Sequence, residues 1–167
     1  MNGTTKKIAF VGVMASLALV LSYLEFLIPP LFVTLPAIKM GLPNIVIIFT
    51  LYKLGTKEAI TVSFIRLLCS ALLFGSFMTF LYSLAGAFLS LALMILLKPT
   101  NLFSSVGVSV VGGIAHNIGQ TVVAVILLER IEIAYYLIAL TVSGTVAGLC
   151  VGLIGALLLK AFSRLKL

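Results

Sequence analysis

Long apolar runs separated by short polar knots organise the chain. The first run, residues 8–28, follows Lys6 and Lys7 and would extend about 31 Å as a helix, enough to cross the hydrocarbon core of a bilayer. It is too long for the apolar part of a secretory leader, lacks a small-residue cleavage site and leads into further runs, so it is expected in the mature chain. Pro29 and Pro30 end it, and residues 29–41, with Thr34 and Lys39 among them, predict the longest loop. Leu42-Pro43-Asn44 restarts a helix with proline in its first turn. That second run reaches only to about residue 54, and its shortness implies tilt or partial burial. Runs 59–74, 77–97, 103–128 and 134–162 follow. Their separators, Gly75-Ser76, Lys98-Pro99-Thr100-Asn101 and Glu129-Arg130-Ile131-Glu132, are short enough to force antiparallel neighbours. The expected fold is an all-α integral membrane protein, a compact bundle of six transmembrane helices forming one membrane domain over residues 1–167.

Composition narrows the class further. With 62% hydrophobic and 9% charged residues, the chain lies far from the roughly 45–50% apolar and about 25% charged usage of soluble domains. Its net charge of +7 does not describe a nucleic-acid binder, because the cations lie beside the apolar runs and form no basic face or arm. They read as topology signals. With the N-terminus inside, eight of eleven cations (Lys6, Lys7, Lys53, Lys57, Lys98, Lys160, Arg164 and Lys166) are cytoplasmic, against Lys39 and Arg130 outside and Arg66 within a run. Both termini are therefore expected in the cytoplasm. Cys69 and Cys150 fall inside predicted helices without a partner at CxxC spacing, so neither a disulfide framework nor a metal site is expected.

Arg66 changes the picture most. It lies near the middle of the third run, where an ionised side chain costs at least about 2.5–3.5 kcal/mol unless it is solvated or paired. It should face protein or a cavity, with Ser63 and Ser70 on its side of the helix. The fifth run carries a polar stripe at three- and four-residue intervals: Ser105, Ser109, Gly112, Gly113, His116, Asn117 and Gln120. Counted from the outer ends, Arg66 is roughly 13 Å deep and Gln120 roughly 12 Å, so the two can share a level. No carboxylate is expected there. Glu25 sits near the outer end of the first helix, Glu129 and Glu132 in the outer loop and Glu58 inside, and the chain has no aspartate. Arg66 thus invites the carboxylate or phosphate of a ligand, assisted by the positive N-terminal ends of the second and fourth helices. Satisfaction by helix-end carbonyls and the amides of Asn117 and Gln120 is the structural alternative.

The remaining candidates carry less chemistry. His116 stands without another histidine, carboxylate or cysteine at coordinating spacing, which favours a hydrogen-bonding role over a metal ligand. Asn44 and Lys39 fit either an outer mouth or simple loop solvation, and Tyr82 fits a cavity or interface. Tyr135 and Tyr136 fit an outer aromatic belt. Gly144, Gly148 and Gly152 form a small-residue ridge on the sixth helix, and Ala9, Gly12 and Ser16 lighten the first; such ridges serve internal packing or a partner helix. No clustered aspartates for Mg²⁺-diphosphate chemistry, phosphate-cradling loop or nucleophile elbow is present. The chain is expected neither to catalyse on its own nor to carry a cofactor.

One resemblance emerges from particular residues. Arg66-Leu-Leu-Cys-Ser-Ala-Leu-Leu-Phe-Gly75, Tyr82-Ser-Leu-Ala-Gly86, the segment from Gly107 to Gln120 containing His116-Asn117-Ile-Gly-Gln120, and Gly144 with Gly148 resemble the membrane family labelled heptaprenyl diphosphate synthase component I, also called the Gx transporter family. More broadly, a small six-span protein with its N-terminus inside and a small-residue face on its first helix is similar to the substrate-binding S-components of energy-coupling factor transporters. The second likeness implies a bacterial plasma-membrane binding protein that docks on a transmembrane coupling subunit and takes energy from partner ATPases. Its ligand would be a small anion held at Arg66 and oriented by His116, Asn117 and Gln120 beneath the loop at residues 29–41; the association of the first family with redox and quinone-related membrane functions implies an aromatic, isoprenoid or quinone-related one. The alanine-rich coupling motif of S-components is not cleanly matched. The first label implies instead a non-catalytic membrane accessory of isoprenoid or quinone biosynthesis or of redox machinery.

Overall fold

The computed structural model describes residues 3–28 and 41–164, and every regular element among them is helical. Six α-helices follow in order: α1 (Gly3–Leu27), α2 (Asn44–Lys53), α3 (Thr56–Leu73), α4 (Phe77–Leu97), α5 (Ser105–Leu128) and α6 (Leu137–Ala161), with 3₁₀ turns at Lys98–Thr100 and Ile131–Tyr136. Lys39, Lys166 and the loop expected as a cover, apart from Gly41, lie outside the described residues. Four of the segments are long and apolar enough to cross a membrane: Thr5–Leu27, Phe77–Thr100, Ser105–Leu128 and Ile131–Ala161.

The boundaries follow local chemistry. Ser76 caps α4 by accepting the Thr79 N–H, and Ser104 caps α5 by accepting that of Gly107. Gly55, at φ 124°, turns the chain between α2 and α3, so α3 starts at Thr56, earlier than the apolar run suggests, with Lys57 and Glu58 in its first turn. Glu129 adopts the left-handed conformation at the end of α5. Residues 131–136 then wind as a 3₁₀ turn, and the sixth helix begins at Leu137, not at Ala134.

The short second run becomes the core. At ten residues α2 is about 15 Å long, roughly half a bilayer's hydrocarbon thickness. Ile45 through Leu51 are all buried, as a helix apolar on every side demands, and the one hydroxyl among them, that of Thr50, donates to the Val46 carbonyl. Ala18 of α1, Ala59 and Val62 of α3, Val108 of α5 and Val151 of α6 belong to the same buried cluster. Their modest size lets the neighbouring helices approach.

Helix α5 lies between α4 and α6, and the α6 ridge is spent on it. A Cβ on Gly144 would sit 2.8 Å from the Gly113 carbonyl oxygen. On Gly148 it would be 2.7 Å from Val110 Cα, and on Gly152 2.8 Å from Val106 Cα. Backbones this close exclude any larger residue without separation of the helices. Ala9, Gly12 and Ser16 remain exposed, and Gly12 has open space where a Cβ would go.

Three lysines tie one end of the bundle together. Lys7 pairs with Glu58 at 2.6 Å; Lys53 Nζ donates to the Phe162 carbonyl at 2.8 Å; Lys98 Nζ donates to the Leu51 carbonyl at 2.6 Å and lies over the Tyr52 ring. The latter two place cations at the carbonyl ends of α6 and α2, where the helix dipole favours them.

Candidate functional site

At the opposite end α1 and α3 finish while α2 and α4 begin, and these four ends enclose a cavity of about 250 Å³. From α1 come Ser22 and Glu25, one turn apart on the stripe that also buries Ala15 and Ala18. Helix α3 supplies Arg66 and Ser70, and the start of α2 supplies Asn44, with Gly41 just before it. The wall is completed by Ser76, Thr79 and Ser83 at the start of α4 and by His116 from α5.

Arg66 is 7% exposed, and its Nε has no hydrogen-bond partner among the described residues. Glu25 is 8% exposed, and its charge attracts that of Arg66. This corrects the expectation that no carboxylate reaches the arginine. The last turns of α1 lean on α3, with the rings of Tyr23 and Phe26 packed 5.4 and 5.2 Å from that of Phe74, and Glu25 on the buried stripe is carried inward. Glu25 Oε1 also accepts the backbone N–H groups of Gly41 and Leu42. Gly41 can present them because its φ of 75° is open to glycine without strain.

The surroundings favour an acceptor at Arg66. The first turns of α2 and α4 bring their positive ends to the cavity. Ser70 donates back to the Arg66 carbonyl, and the Ser76 and Thr79 hydroxyls bond each other at 2.9 Å. A ligand oxygen at the Nε–H would fill a buried donor that the described residues leave unmatched.

The structure therefore brings Arg66, Ser70, Asn44 and His116 together and puts the other sequence candidates elsewhere. Asn117 is buried, and its Nδ2 donates to the Leu140 carbonyl at 2.7 Å, joining α5 to α6. It borders a second space of about 20 Å³, shared with Gly41, Asn44 and His116 and large enough for about one water. Gln120 is buried between α4 and α5 with its Cγ against Gly86, and Tyr82 is half-buried beside Ser83. Neither is among the described residues lining the larger cavity. Glu25, Ser22, Thr79 and Ser83 were not singled out from sequence as site residues. The signal for the first two was the 3-4-3 spacing of Ala15, Ala18, Ser22 and Glu25, an inward-facing stripe of small and polar residues.

Long apolar helices around a buried, charged and hydroxyl-lined cavity define a polytopic membrane protein with an internal polar site. The chain belongs to the family described as heptaprenyl diphosphate synthase component I, whose match covers residues 14–158. That span contains every cavity residue named above. By its name the family is one component of a synthase. No curated protein and no solved structure matches the chain.

Proposed function

We propose that the protein is a membrane substrate-binding protein, without catalysis of its own, that receives the anionic end of a small ligand at Arg66. The observation that carries this reading is the buried guanidinium whose Nε–H has no acceptor among the described residues although it lines a polar cavity. Glu25 compensates the arginine in the absence of ligand, while its Oε1 is held by Gly41 and Leu42. The incoming anion adds the missing acceptor, and Ser70, Asn44 and His116 shape the space around it. Asn117 and Gln120 act one layer behind, holding α5 in place.

In this reading the chain spans a bacterial plasma membrane six times as one domain, with both termini and the lysine-rich end in the cytoplasm. The cavity then opens toward the outer side. Uptake would use a transmembrane coupling subunit docked on the exposed Ala9, Gly12 and Ser16 face, energised by partner ATPases. The family match favours a second reading, a membrane accessory subunit that holds an isoprenoid or quinone-related molecule for a synthase.

Purification from the native host followed by mass spectrometry of co-eluting small molecules tests the site. An anion enriched with wild type and lost from a folded Arg66→Gln variant supports it; equal content in both samples sinks it. Co-eluting ATPases support uptake, and a co-eluting prenyl synthase supports the accessory role.

A further inference from the structure

A third space, a cavity of about 250 Å³, lies between α3 and α4 next to the charged one. Its walls are Ile60, Phe64 and Leu67 on α3 and Leu84, Phe88 and Ile95 among the α4 residues, with Ser63 as the one polar side chain among the described lining residues. Leu67 lines both cavities. On α4 the charged cavity ends at Ser83 and the apolar one begins at Leu84. The two spaces thus adjoin at Leu67, and the seam is polar at the helix ends and apolar for roughly 16 Å along α4 from Leu84 to Ile95. It also opens sideways: Ile60, Phe64 and Phe88 are 48%, 54% and 74% exposed.

We infer that the ligand is a single-chain amphiphile whose anionic head sits at Arg66 and whose apolar chain lies in this groove. The inference rests on the anion-binding reading of Arg66. A head group alone would need only the charged cavity. A bilayer lipid covering the groove by chance would have no link to Arg66, whereas a ligand held there adjoins the groove at Leu67, which lines both spaces. Lateral opening lets such a molecule enter from the membrane with its chain still in an apolar medium, so no water-exposed transfer of the chain is required.

The test uses the full chain in lipid nanodiscs, with methyl phosphate and decyl phosphate as probes. Ala92→Phe and Ile60→Trp each fill the groove without touching the charged cavity, and Ile60 is exposed enough to make the second variant safe for folding. Comparing variants with wild type at constant lipid cancels partition of the chain into the bilayer. We expect both variants to weaken decyl phosphate by about tenfold, a loss of packed contacts along the chain, and to leave methyl phosphate unchanged. Arg66→Gln should lose both probes. Decyl phosphate bound equally by wild type and both groove variants, with methyl phosphate still dependent on Arg66, would overturn the amphiphile and leave the anion site standing. Methyl phosphate bound by wild type without decyl phosphate would likewise overturn the amphiphile alone, and absence of both probes from wild type would overturn the anion site and this inference with it.

Discussion

Replacing Glu25 by glutamine should move stability and anion binding in opposite directions. The amide oxygen can still accept the Gly41 and Leu42 N–H groups, so the substitution removes the charge facing Arg66 while retaining the local hydrogen bonds. Opposite unit charges facing each other across one small cavity attract by about 2–4 kcal/mol at an effective dielectric of about 20. This matches the lower end of the 3–5 kcal/mol typical when one partner of a buried ion pair is removed. Unfolding in detergent should thus fall by about 3 kcal/mol, and Glu25→Ala, which also strands the two N–H groups, by a further 1–3 kcal/mol or so. Removing the same charge relieves repulsion of an incoming anion, so methyl phosphate should bind Glu25→Gln between about tenfold and a hundredfold more tightly. Thermal unfolding and isothermal titration calorimetry on the same samples read both effects. A variant that loses stability without gaining anion affinity would separate Glu25 from the ligand's site. One that changes neither would show that the two charges are not coupled.

Packing and surface predictions are simpler. Gly148→Leu should destabilise the chain by at least about 1–3 kcal/mol in detergent unfolding because it forces α5 and α6 apart, whereas Gly12→Leu, with open space at its Cβ, should change little. Asn117→Ala should lower stability by about 0.6–1.7 kcal/mol through the lost bond to Leu140 and leave methyl phosphate affinity within about twofold. Hydrogen bonding to Lys7, then to its own backbone, holds the Glu58 carboxyl below its ordinary value of 4.5. The resulting small stabilisation is present above that value and disappears as pH falls through the lower folded-state value, and Lys7→Met should flatten this acid limb of the stability profile.

Much of the fold was legible because apolar runs and their breakers mark membrane helices directly. Helix α4 has the predicted bounds, since Ser76 supplies a cap at one end and the Pro99 turn stops the other. The start of α6 was not legible: residues 134–136 are apolar, and hydropathy does not separate a 3₁₀ turn from an α-helix. Arg66 stood out as a cation in an apolar run. Glu25 did not, because depth counted along each helix separately omits the lean and rotation that bring the end of α1 against α3. The glycine ridge of α6 was visible as a spacing, but only the packed structure assigns it to α5.

The most direct test of the anion site is the ¹⁵N–¹H resonance of the Arg66 Nε–H, followed while methyl phosphate is titrated into the protein in detergent. Arg130 and Arg164 are the other arginines in the chain, and an Arg66→Lys sample assigns the signal by its loss. A saturable downfield shift confined to the Arg66 resonance is expected as its donor gains an acceptor. No shift, or equal shifts in the other arginines that persist in Arg66→Lys, would contradict the claim that this buried guanidinium receives the ligand.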